Sequence, residues 1–115
     1  ALALSDADSK MKANRVRIVT KEFDYGTSDA RVLEAAKKAV ESSVVAVVGY
    51  NWSSHALLAA PIHQAGKLPM LTPSATANRI GGLGQYIHQA CFDNAFMGET
   101  LAAVAKKRLK AKRAV

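Results

Sequence analysis

A chain of 115 residues, half of them apolar and 22% charged, has the size of one domain and can bury roughly 60 to 70% of its unfolded surface, enough for a single core. It contains no low-complexity tract, internal repeat or apolar run of 18 residues, which sets aside a disordered, fibrous or helix-spanning membrane protein. The formal charge of +7 is concentrated: six cations, Lys106, Lys107, Arg108, Lys110, Lys112 and Arg113, fall in the last ten residues without an acid among them, and the rest of the chain carries +1.

The opening "ALALSDADSKMKA", 1 to 13, favours a helix through Leu4, Ala7 and Met11. It has neither the basic head nor the long apolar segment of a signal peptide, as a mature secreted chain also would not. "RVRIVTKEF", 15 to 23, sets Val16, Ile18 and Val19 among charged residues and predicts a strand near a sheet edge or with one wetter face. "DYGTSDA" is a loop, with Ser28 or Asp29 suited to cap the next segment. In "ARVLEAAKKAVES", 30 to 42, the stripe Val32, Leu33, Ala36 and Val40 marks an amphipathic helix.

"VVAVV", 44 to 48, has no polar face, which predicts a central parallel strand covered on both sides by helices. Residues 53 to 66 read as a helix that turns Leu57, Leu58 and Ile62 inward, with Pro61 expected to bend or restart it and Gly66 to close it. "LPML" makes a short strand, "QYIHQA" another, and "NAFMGETLAAVAKKRL" a helix whose C-terminal cations complement its dipole. "RAV" reads as the opening of one more strand. Alternating strands and helices with short connections predict a doubly wound α/β domain with a parallel sheet. A first helix without a preceding strand and a last strand barely begun suggest truncation at both ends.

In such a sheet ligands bind outside the carboxyl ends of the strands. Two loops fall there. In "GYNWSSH" Gly49 gives the backbone freedom to turn, and Ser53 and Ser54 start a helix whose unpaired N–H groups attract an anion. In "TPSATAN", 72 to 78, the Ser74 and Thr76 hydroxyls and the amides between them follow the next strand. If the strands are neighbours the loops converge, and the pair suits a small carboxylate, or a phosphate. The plainer reading is that the serines cap a helix and "TPSAT" turns the chain. Tyr50 and Trp52 favour a covering role, because bulky aromatics in a loop are better explained by a ligand than by a turn. Asp93 or Asn94, in a third loop, either reaches the same cleft or caps a helix.

Other motifs point nowhere specific. "GGLG", 81 to 84, precedes a strand instead of joining a strand to a helix, so it reads as a flexible turn. His55 and His63 lie about 80° apart on a straight helix and His88 in another element, so no metal is expected. "SSH" lacks the strand–turn–helix context of a nucleophile elbow, and Cys91 reads as a buried structural thiol that excludes an internal disulfide. With no acid–base pair or activated nucleophile, neither an enzyme nor a cofactor is expected. The terminal cations have no aromatic residues among them, so nucleic acid is not expected as a partner.

The ordered set "VVAVVGYNWSSHALLAAPIHQAGKLPMLTPSATANRI" and "YIHQACFDNAFMGETLAAVA" resembles the N-terminal lobe of the type I periplasmic solute-binding proteins, in particular the branched-chain amino acid binding family of ABC transporters. The resemblance covers about residues 14 to 115. It implies a periplasmic or extracellular clamshell that closes on a solute such as a branched-chain or aromatic amino acid and delivers it to a membrane permease without catalysis. Carried over by position, Ser53 or Ser54 would bond the ligand carboxylate, Ser74 and Ala75 would present backbone groups, and Thr76 would contact the amino and carboxylate ends. Tyr50 stands where the family commonly has proline, and His55 replaces a small residue. Family members are far longer, so the resemblance implies a partial N-terminal lobe with the second lobe absent, a piece that could self-associate. A stand-alone flavodoxin-like regulatory domain is the alternative.

Overall fold

The computed structural model describes residues 2–12 and 14–113. In chain order it has helices α1 (Leu2–Lys12) and α2 (Asp29–Glu41), strand β1 (Val47–Val48), helix α3 (Ser53–Ala65), strand β2 (Met70–Thr72), a single 3-10 turn (Ile80–Gly82), strand β3 (Ile87–Gln89) and helix α4 (Asn94–Lys107). The three strands form one parallel sheet in the order β1-β2-β3, with Val47 opposite Met70 and Met70 opposite Ile87. The α/β class and the parallel sheet are as the sequence implies.

The core forms where α2 and α3 pack against each other and against β2, β3 and the 3-10 turn. Met70, Ile80, Val32 and Ile87 fill it, and the helix contact is made of small residues, Ala36 from α2 and Ala56, Ala59 and Ala60 from α3. Small side chains let the two backbones approach closely. That proximity explains Gly66, since a Cβ there would run into the Val40 side chain. Gly66 ends α3 in right-handed geometry (φ −76°), and the left-handed position belongs to the next residue, Lys67 (φ 52°). Ser28 caps α2, its hydroxyl accepting from Arg31 N–H at 3.4 Å.

Several expectations change. Residues 15–23 form no strand: Ile18 N–H goes to the Asp8 carboxylate at 3.1 Å, and no strand lies beside the segment for a ladder among the described residues. Pro61 does not break α3, which runs through it, and Pro61 lies on the exposed face of the helix. The fully buried face of α3 is Ala56, Ala59, Ala60 and His63, with Leu57, Leu58 and Ile62 packed partly against the core. "RAV" begins at Arg113, and its last two residues lie outside the described residues.

The largest change is in "VVAVV". Its strand portion is short and lies at the edge of the sheet, with Val45 87% and Val48 71% exposed. Val47 and Gly49 donate to Pro69 and Leu71 of the β2 side, so the alternate residues Ala46 and Val48 direct their backbone groups away from the sheet. Beyond them opens a cavity of about 1020 Å³ lined by residues 16–25 and 43–50. Central burial needs a partner on each side, and among the described residues β1 has one.

An uncharged valine edge without proline or lysine is poorly protected against pairing with another chain. The 115-residue chain is therefore expected to self-associate with rising concentration, and Val48→Lys to shift it toward monomer, as light scattering after size exclusion would read. A wild-type chain that stays monomeric across the accessible concentration range contradicts this.

Candidate functional site

Because β1 and β2 are parallel neighbours, the loops that leave their carboxyl ends, 49–53 and 73–78, lie side by side. Three hydrogen bonds join the first loop to β2 and the second loop, and a fourth braces the second loop itself. The buried Thr72 hydroxyl donates to the Tyr50 carbonyl at 2.8 Å and accepts from Ala75 N–H at 3.3 Å. The Ser74 hydroxyl donates to the Asn51 carbonyl at 3.0 Å, and Ala77 N–H donates to the Ser53 hydroxyl at 3.1 Å. The third loop closes on the second: Asn94 N–H reaches the Thr76 carbonyl at 2.8 Å, and Gln89 and Cys91 both donate to the Ala75 carbonyl, at 2.6 and 3.2 Å.

The bonds sort the sequence-predicted residues into two groups. Ser53, Ser74 and Ala75 spend their named groups on the junction between loops. Asp93 accepts from Phe96 N–H at 2.8 Å and so caps α4. The side chains of Ser54 and Thr76 make no hydrogen bond to another described residue, and Trp52 is 64% exposed. Trp52 occupies the N-cap of α3 without offering a cap bond, and the first main-chain donor used inside the helix is Ala56, to the Trp52 carbonyl. The N–H groups of Ser53, Ser54 and His55 are left for another acceptor.

Tyr50 lies inside the lobe. Its hydroxyl is 3.0 Å from His63 Nε2, and its backbone takes the left-handed conformation, φ 61°. The sharp turn therefore falls on Tyr50 and not on Gly49. A bulky residue is costly in that region unless its surroundings over-determine it. Here three contacts do so: the His63 bond, the Thr72 bond to its carbonyl, and the Tyr25 ring with its centroid 5.2 Å away. Sequence reasoning missed Tyr25, Asn51, Thr72, Gln89 and the two buried histidines, which make the junction and its support. Only Thr72 carried a local signal, a hydroxyl at the end of an apolar strand.

Burial pushes the Tyr50 hydroxyl up to about 12, aided by the neighbouring Tyr25, and holds the His63 imidazole below its ordinary value. His63 Nδ1 is buried without a partner, which further disfavours a charged ring.

The family model described as "Periplasmic binding protein" matches residues 1–115. Among solved structures, the leucine binding protein LivK of Thermotoga maritima is 27% identical with a TM-score of 0.71, over 96% of this chain and 33% of that one. The branched-chain amino acid transporter substrate binding protein LivJ of Streptococcus pneumoniae, solved in complex with isoleucine, is 23% identical with a TM-score of 0.79, over 95% of this chain and 33% of that one. The chain thus spans about a third of the length of the structures it matches. No curated protein sequence matches it.

Tyr50→Phe should destabilise the chain by about 1–3 kcal/mol, because it strands a buried imidazole nitrogen. The unfolded state takes up a proton at His63 near 6.5 while the folded state resists, so stability falls as pH drops through and below that value. At the other end the unfolded state loses the Tyr50 proton near 10 and the folded state keeps it to about 12, so stability falls again as pH rises between them. Urea midpoints measured against pH check both flanks; a wild-type midpoint flat on the acid side, or a Tyr50→Phe variant as stable as the parent, contradicts the assignment.

Proposed function

The chain belongs to the periplasmic binding protein family, and from that premise we propose that it forms part of the binding lobe for a small carboxylate-bearing solute, such as a branched-chain or aromatic amino acid. The observation that carries the reading is the uncapped amino end of α3, set beside the second loop by the Ser53–Ala77 and Ser74–Asn51 bonds. The N–H groups of Ser53 and Ser54, the Ser54 hydroxyl and the Thr76 hydroxyl are the donors for the carboxylate. The positive end of the helix dipole adds to them. In this reading Ser53, Ser74, Ala75 and Tyr50 hold the donors in place, Trp52 borders the solute, and Asp93 fixes the third loop.

The solute is bound unchanged, as a transport component requires: capture in the periplasm or outside the cell, then delivery to the membrane permease of an ABC transporter. Donors already fixed before binding cost little ordering when the ligand arrives. The likeness to a leucine binding protein and to a branched-chain amino acid transporter component supports both the solute class and the destination.

Calorimetric titration of the full-length protein with a panel of amino acids tests the reading. A bond from a neutral donor to a charged acceptor is worth about 1.5–3 kcal/mol, so Ser54→Ala and Thr76→Ala should each weaken binding roughly tenfold or more. Ser74→Ala should act instead through lowered stability. No binding across the panel, or unchanged affinity in both Ser54→Ala and Thr76→Ala, would overturn it.

A further inference from the structure

We propose that the Tyr50–His63 pair is an acid-sensitive latch: a proton taken up by the His63 ring expels the Tyr50 side chain and relaxes the turn at residues 49–51, while the helix core stays folded. The latch does not depend on which solute the lobe takes. His63 is fully buried, its Nε2 lies 3.0 Å from the Tyr50 hydroxyl, and its Nδ1 has no partner. In either neutral tautomer one ring nitrogen is served and the other is not. A charged ring carries two N–H donors, and the second has nothing to accept it.

No carboxylate compensates an imidazolium there. His55, His63 and Thr72 are the buried polar or charged side chains among the described residues. The elements packed against α3 are α2, β2, β3 and the 3-10 turn. On α2 the charged residues Asp29, Arg31, Glu34, Lys37, Lys38 and Glu41 are all exposed, and Glu34 is already paired with Lys38. β2 has no titratable side chain, β3 has only the exposed His88, and the exposed Arg79 precedes the 3-10 turn. On α3 itself stands His55, held between the Trp52 and Tyr25 rings. From the first loop comes Tyr50, with Tyr25 behind it. A buried charge without a counter-ion costs far more than a buried neutral ring, so His63 takes a proton only where water reaches it.

Tyr50 controls that access. Its side chain borders the cavity lined by residues 16–25 and 43–50, and His63 does not. The tyrosine can therefore turn into open space without parting α2 from α3. The backbone favours the move, because Tyr50 is held at φ 61°, a region that a bulky residue occupies only under restraint. The His63 bond is one of its three restraints. Farther out, the bonds of Ser74 to Asn51 and of Ala77 to Ser53 keep the two loops attached. The change is thus confined to the turn, a two-state element biased by one proton.

The test follows the full-length protein by NMR, with isotope-labelled histidine rings and backbone amides, as pH is lowered. The His63 ring should titrate below 6.5 with a single-proton slope. The amide signals of residues 49–51 should move with the same midpoint, while those of Ala35, Ala36 and Ala39 in α2 stay in place. His63→Gln, whose amide can still meet the Tyr50 hydroxyl but takes no proton, should abolish the movement. Tyr50→Phe should show Gly49 and Asn51 in their acid positions already at neutral pH, and His55→Gln should leave the midpoint unchanged. Turn signals that do not follow the His63 titration, α2 signals that move with them, or a movement that persists in His63→Gln overturns the inference. So does a His63 ring that takes no proton before the protein unfolds. Should His63→Gln not fold, Tyr50→Phe decides: turn signals that still move with pH in that variant overturn the latch.

Discussion

One buried hydroxyl determines how the working end of this lobe is built. Thr72 Oγ1 closes β2 by donating to the Tyr50 carbonyl and accepting from Ala75 N–H, so a single atom fixes the exit of one loop and the entry of the next. Without it the Tyr50 carbonyl and Ala75 N–H would lose their partners in a dry environment, a cost on the order of 1–3 kcal/mol for each. The left-handed turn at Tyr50 would also lose a restraint. The outer bonds, Ser74 to Asn51 at the exposed surface and Ser53 to Ala77 half-buried, contribute less but repeat the same connection farther out.

That arrangement divides labour among hydroxyls which look alike in the sequence. Ser53 and Ser54 are adjacent, as are the elements of "SAT", and nothing in their spacing tells which will be consumed by the framework. Packing decides it. Ser53 faces the second loop and Ser54 faces solvent because consecutive residues on a helix point about 100° apart. The same logic separates the two aromatics of "GYNW": Tyr50 turns in to meet His63, whereas Trp52 turns out onto His55.

The α/β class, α2 with its Ser28 cap, α3, the parallel β1 and β2, and the convergence of two loops were legible because each rests on local pattern or on a topological rule that needs few contacts. The errors came where pattern depends on absent or distant partners. "VVAVV" reads as central because both faces are apolar, yet centrality is a property of neighbours, and the described sheet provides β1 with only one. "RVRIVT" fails as a strand for the complementary reason: extended backbone needs a ladder, and it faces an open cavity instead. The contacts of Tyr25 and His63 with Tyr50 were not legible because rings far apart in sequence announce nothing until the fold stacks them.

The exposure of the free donors limits what this face can do unaided. Ser54 and most of Trp52 lie in water, where a hydrogen bond to a carboxylate exchanges with hydration at little net gain. The same donors become strong when the ligand is enclosed, since a lower effective dielectric raises each charge–dipole interaction several-fold. Tight binding therefore requires a second surface to cover the solute. In the reading proposed above, the preformed junction of loops accounts for the orientation of the solute and a covering surface for the strength with which it is held.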